Sequence, residues 1–158
     1  MLTLARRHLL LACASLLAAR PALAAAYEVL GAYPELEVWK MRGCGCCAAW
    51  AKHFEAAGFQ TQMHELDDLA PVRAAAGVPS DLGGCHTAKV AGYVVEGHVP
   101  VVAVQRLLAE RPTVLGLAVP GMPMNSPGME VEGQPMQPFD VITFAADGSR
   151  SVFMEVRP

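Results

Sequence analysis

A β-forming run, Leu36 to Met41 (LEVWKM), leads straight into Gly43-Cys44-Gly45-Cys46-Cys47. That junction constrains the chain more than any other feature. Trp50, Phe54 and Ala57 recur at helical spacing behind it, and Gly58 stands where a left-handed residue would end a helix. The cysteines are therefore expected on a strand-to-helix turn, where unpaired N–H groups and the helix dipole favour thiolate. Trp50 and Met41 read as core residues.

The rest of the chain extends this start into an α/β pattern. Phe59 to Glu65 reads as a second strand, and Asp67 and Asp68 offer N-caps to a short helix with Pro71 in its first turn and Gly77 at its end. Val78-Pro79 and Gly83-Gly84-Cys85-His86 follow, then two β-like runs, Thr87 to Val90 and Tyr93 to Val95, turning near Ala91-Gly92. Pro100 opens a helix with Val101, Val104, Leu107 and Leu108 on one face, and Pro112 closes it. From Thr113 to Pro138 the chain is rich in proline, glycine and methionine, without sustained periodicity. So long an irregular segment in a compact chain is functional or mobile, and it is expected to act as a lid. Val141 to Phe144 and Val152 to Val156 flank Asp147-Gly148, a favoured hairpin turn. This order looks like a thioredoxin-like fold with a C-terminal β-hairpin and a long Met/Pro-rich loop. In that fold the cysteine motif faces a loop proline, for which Pro79 is the candidate.

The N-terminus reads as an export signal over residues 1–24: Arg6 and Arg7, an apolar run from Leu9 to Ala19, and the small-residue site Ala22-Leu23-Ala24. The run is too short to span a bilayer, which takes roughly 20 apolar residues. Arg6-Arg7 also resembles a twin-arginine signal, so either that route or the general secretory one remains open. Cys13 reads as an ordinary residue of the apolar run. Cleavage after Ala24 leaves one domain over residues 25–158, destined for the periplasm. Removing three of the twelve basic residues leaves nine against fifteen acidic ones, a net charge of minus six. Nucleic-acid binding, which needs a basic surface, is thereby disfavoured.

Of five cysteines in the chain, the mature part keeps Cys44, Cys46, Cys47 and Cys85. In an oxidising compartment they are disulfides, metal ligands or a redox couple. Cys44 and Cys47 have the spacing of a redox-active pair, and a thiol-disulfide oxidoreductase built on them is the alternative reading; a small disulfide-stapled module is another. The first leaves Cys46 and Cys85 unnecessary, and the second would tie all four cysteines into two permanent disulfides. Cys46 and Cys47 are adjacent, so both can enter one site only if the backbone turns sharply, a freedom assigned to Gly45. Three thiolates in four residues crowd a mononuclear zinc site. They suit a soft ion that accepts low coordination and bridging sulfur, which points to Cu(I), and four soft donors suit more than one ion. Iron–sulfur chemistry also uses four cysteines, but spacing and compartment argue against it.

Several stretches carry a resemblance: Gly43 to Cys47 with Trp50, Gly77-Val78-Pro79, Cys85-His86-Thr87-Ala88, Gly92 to Pro100, Gly116 to Pro123, and Ser126 to Glu130. From about Leu36 onward the chain resembles the periplasmic copper-resistance family typified by CopG. The resemblance implies a thioredoxin-like fold and a copper-thiolate site on Cys44, Cys46, Cys47 and Cys85. It also implies a copper-redox or copper-storage role, with other envelope copper-resistance proteins as partners.

Further donors are weighed beside these. His86 follows Cys85 directly and is either a ligand or a solvent-facing turn residue; His98 is a ligand or a structural hydrogen-bonding group. His53 and His64 read as surface groups. Met122, Met124 and Met129, with Met136, offer thioether sulfur suited to Cu(I), or else fold over the core and keep water from the thiolates.

Overall fold

The computed structural model describes residues 33–158. The export signal predicted over residues 1–24 lies outside them, as does the beginning of the predicted domain. The elements are β1 (Leu36–Met41), α1 (Gly45–Ala56), β2 (Thr61–Leu66), α2 (Ala70–Ala75), β3 (His86–Val90), β4 (Tyr93–Glu96), α3 (Val101–Glu110), β5 (Gly116–Ala118), β6 (Phe139–Phe144) and β7 (Arg150–Val156). The seven strands form one mixed sheet in the order β2-β1-β3-β4-β5-β6-β7. The α/β class is as the sequence indicates.

β1 and β2 are parallel, so α1 crosses between them, and β3 returns antiparallel on the other side of β1. The β3–β4 turn places both Ala91 (φ 47°) and Gly92 (φ 87°) in the left-handed region. A two-residue hairpin loop needs such angles to match the strand twist. α3 then carries the chain from β4 to β5, which pairs parallel to it.

Burial follows strand parity. Leu36 and Val38 of β1 pack with Trp50 and Phe54 of α1, Ala88 and Val90 of β3, and Val104, Leu107 and Leu108 of α3. Met41, expected in the core, is 41 % exposed. The period of two puts it with Glu37 and Trp39 on the less covered face, and its place at the strand end leaves it open.

β5 is absent from the sequence reading, which leaves the whole of Thr113 to Pro138 irregular. Three residues are too few to display a period. A Cβ on Gly116 would lie 2.0 Å from the Val94 carbonyl oxygen, so glycine is what lets this segment dock against β4. Beyond the loop, β6 and β7 form the expected hairpin around Asp147-Gly148, with a register shift between Val141 and Ile142. Among the described residues, no helix is long and apolar enough to cross a membrane.

Candidate metal centre

Cys44 is the N-cap of α1, in extended conformation, and its sulfur accepts a hydrogen bond from the Cys47 N–H at 3.4 Å. Cys46 and Cys47 occupy the first helical turn. The sharp turn expected at Gly45 falls instead at Gly43, whose φ is +73°; Gly45 begins the helix. Turning before Cys44 lets the helix N-terminus itself present the three sulfurs.

The fourth sulfur arrives from the turn that precedes β3. Cys85 Sγ lies 3.4 Å from each of Cys44, Cys46 and Cys47 Sγ, and Cys44 and Cys46 Sγ are 3.5 Å apart. All four sulfurs lie within 4.8 Å of one another, the one group of three or more such donors gathered among the described residues. The structure also departs from a picture of four equivalent thiolates, because Cys44 and Cys47 are joined as a disulfide while Cys46 and Cys85 are free. Burial, together with the neighbouring Cys46, pushes the Cys85 thiol up to about 12, while the Arg73 guanidinium acts in the opposite sense. Cys85 is thus protonated near neutral pH until something replaces its proton.

His86 is not the solvent-facing residue that one sequence reading allows. Strand alternation places it with Ala88 and Val90 on the α1 side, where it is fully buried, 4.1 Å from the Trp50 ring centroid. Neither of its ring nitrogens has a hydrogen-bond partner. Burial, reinforced by His98 and Arg73, lowers its pKa to about 3, so the ring is neutral. His98 is 5.2 Å away, edge to face, and its Nδ1 lies 2.8 Å from the Pro127 carbonyl. A carbonyl only accepts, so Nδ1 carries the proton. His53 and His64 are half-exposed, paired with Glu130 at 2.8 Å and Glu37 at 2.9 Å.

The Pro/Met-rich loop lies against the cysteine helix. Gly128 (φ +86°) comes so close that a Cβ there would be 2.6 Å from Trp50 N and 2.7 Å from Cys46 O. Glu130 accepts from the Gly128 N–H through both oxygens and reaches His53 on α1. The methionines do not act together as a cover. Met122 and Met124 are exposed, Met129 is half-buried, and Met136 packs on the main core. Pro79 caps the short 3-10 helix Ser80–Leu82, and the segment facing the cysteines is Gly84–Cys85 downstream of it.

Comparison with known proteins bears on what such a site is for. The profile of a family described as "Protein of unknown function, DUF411" matches residues 82–129, which include Cys85 and most of the loop. Two solved structures, entitled copper resistance protein copG, form 1 and form 2, align with a TM-score of 0.75 at 40 % identity. The alignments cover 80 % and 79 % of this chain and 99 % of each of those chains. The chain belongs to the CopG copper-resistance family. A search of curated proteins finds no match. For a CopG relative the donor set is chemically apt, since sulfur is the soft donor that copper favours and four sulfurs from two distant segments gather here.

Sequence reading missed Arg73 and Glu96. Glu96 is fully buried and accepts hydrogen bonds from Arg73, Gly84 and Thr87. The signal available for it was a carboxylate at the end of an apolar run, Tyr93-Val94-Val95-Glu96, one residue before a glycine.

Proposed function

We propose that this chain is an exported copper-binding protein that holds Cu(I), more than one ion of it, on Cys44, Cys46, Cys47 and Cys85, for copper tolerance by sequestration or by copper redox. The observation that carries this reading is the convergence of Cys85 with the three helix cysteines, at 3.4 Å from each. A dithiol exchange centre needs two sulfurs, and this one has four. All four sulfurs lie within 4.8 Å of one another, close enough that ions with metal–sulfur bonds of about 2.3 Å would be within reach of all of them. The proposed location is the periplasm, after removal of residues 1–24, with residues 25–158 as the copper-binding domain. The β2-β1-β3-β4 part of the sheet, with α1 between its parallel pair and α3 after its hairpin, supports a thioredoxin-like description of that domain.

The disulfide gives the site a redox coordinate. A dithiol reductant, itself oxidised to a disulfide, would convert the Cys44–Cys47 bond into two thiols, whose protons copper would then displace. Alternatively, two Cu(II) ions would each take one electron from the Cys44 and Cys47 thiolates, leaving two Cu(I) ions and the disulfide, so that charge balances without another reactant. The second form makes the protein a copper oxidoreductase.

Copper per monomer decides the question, measured for wild type, Cys46→Ser and Cys85→Ser after anaerobic loading, with circular dichroism as the check on folding. Serine stays protonated near neutral pH and is a poor donor to Cu(I). Both variants are expected to lose at least about half of the copper, because a lost bridge serves two ions. Full copper in both would overturn the four-sulfur site. One observation favours a second reading: the disulfide at a helix N-terminus is also the resting state of a thiol-disulfide oxidoreductase using Cys44 and Cys47. Rapid insulin reduction by the copper-free protein, unaffected by Cys46→Ser, would support that enzyme instead.

A further inference from the structure

Glu96 ends β4 with a carboxylate that is fully enclosed. Its Oε1 accepts from Arg73 Nε at 2.8 Å and from the Gly84 N–H at 2.7 Å, and its Oε2 accepts from the Thr87 hydroxyl at 2.6 Å. Arg73 also donates through Nη2 to the carbonyl of Gly84 at 2.5 Å. One ion pair therefore holds both backbone polar groups of Gly84, the residue before Cys85.

The residue after Cys85 is held from the same place. The Gly97 N–H, next to Glu96, donates to the His86 carbonyl at 2.8 Å. Between these two anchors the backbones cross in close contact: a Cβ on Gly84 would lie 2.5 Å from Gly97 Cα. A buried ion pair is in itself weak evidence of added stability, because desolvation offsets the attraction. Its role lies in what it fixes.

We propose that Arg73 and Glu96 are positioning residues for Cys85, an internal clamp that fixes the Gly84–His86 turn so that the Cys85 sulfur meets the three sulfurs of the α1 N-terminus. Arg73 reaches this turn from α2 and Glu96 from β4, so the clamp ties the Cys85 segment to two elements independent of α1. The copper consequence rests on the reading proposed above; the backbone consequence does not.

The test therefore has two arms, run on wild type, Glu96→Gln, Arg73→Gln, Arg73→Lys, Thr87→Val and a control, Phe59→Ala, which opens the core at the far end of α1. In the copper-free protein, hydrogen exchange at the Gly84 amide and alkylation of Cys85, mapped by mass spectrometry, report the clamp. Glu96→Gln and Arg73→Gln are expected to raise both rates at least about tenfold, and Arg73→Lys by less, because the local opening they report becomes easier. Thr87→Val leaves the ion pair and should fold even if the others do not, with a rise of about threefold. In the second arm, the loaded variants should lose Cu(I) to a chelator faster in the same rank order. Unchanged Gly84 exchange in the folded variants would overturn the clamp. So would equal increases in Phe59→Ala at a matched loss of melting temperature, since the effect would then be general loosening. If the exchange arm succeeds and wild type retains no copper, the copper reading fails while the clamp stands.

Discussion

Cys46 and Cys85, the two free cysteines among the described residues, hold their sulfurs 3.4 Å apart although 39 positions separate them in the chain. They meet beside a disulfide that is itself 3.4 Å from Cys85 at either sulfur. The site thus contains a bonded pair and an unbonded pair of sulfurs in one cluster.

A thiol count tests that division. Protein beginning at residue 25, prepared without reductant, should show two reactive thiols in denaturant, and four after mild reduction. Anaerobic Cu(I) uptake per monomer should rise at least about twofold on reduction, because the bond occupies two of the four donors. Equal uptake before and after reduction would contradict this.

Gly128→Ala should be more harmful than Gly121→Ala. Both positions have positive φ, which costs a residue with a Cβ about 1–2 kcal/mol. At Gly121 the added methyl meets open space, whereas at Gly128 it runs into the backbone of Cys46 and Trp50. Urea unfolding should place Gly128→Ala about 2–4 kcal/mol below wild type and Gly121→Ala within about 1–2. Faster copper loss in Gly128→Ala would accompany the lifted loop.

Acid should weaken the copper-free fold through His86. Its folded pKa of about 3 lies below the ordinary value of 6.5. Between those limits the unfolded chain binds the proton and the folded chain does not, so stability rises with pH and is lost as pH falls below 6.5. One such group contributes a slope of about 1.4 kcal/mol per pH unit between those values. His98, also lowered by burial, acts in the same sense. The pH dependence of urea unfolding should be shallower in His86→Phe, and an identical slope would show that His86 is not the source.

Trp50→Phe isolates one buried hydrogen bond. The indole N–H donates to the Val99 carbonyl at 2.8 Å, and both residues are fully buried. Phenylalanine keeps most of the packing and leaves that carbonyl without its donor, at a cost of about 1–3 kcal/mol plus the lost ring volume. A melting temperature equal to that of wild type would rule out this account.

The elements that could be read from the sequence are those whose pattern is local. The β-forming run Leu36–Met41 is β1, apolar spacing between two prolines marks α3, and Asp147-Gly148 marks the last hairpin. The convergence of Cys85 with Cys44, Cys46 and Cys47 was legible because cysteine is scarce and few chemistries need four. What stayed hidden depends on partners distant in sequence. β5 exists because Gly116 can approach Val94, and His86 is buried because β3 turns it toward Trp50. Glu96 can lie inside because Arg73, Gly84 and Thr87 converge on it. No window of neighbouring residues contains those facts.

The Cys44–Cys47 bond gives two sulfur atoms a choice between each other and a metal. On the four-sulfur reading, the number of chains able to accept a full load follows the flow of electrons into the compartment rather than the amount of protein exported. Making more of the chain would then add little capacity while reductant is scarce. A brief influx of reductant would enlarge capacity within the time of a thiol exchange, with no new synthesis.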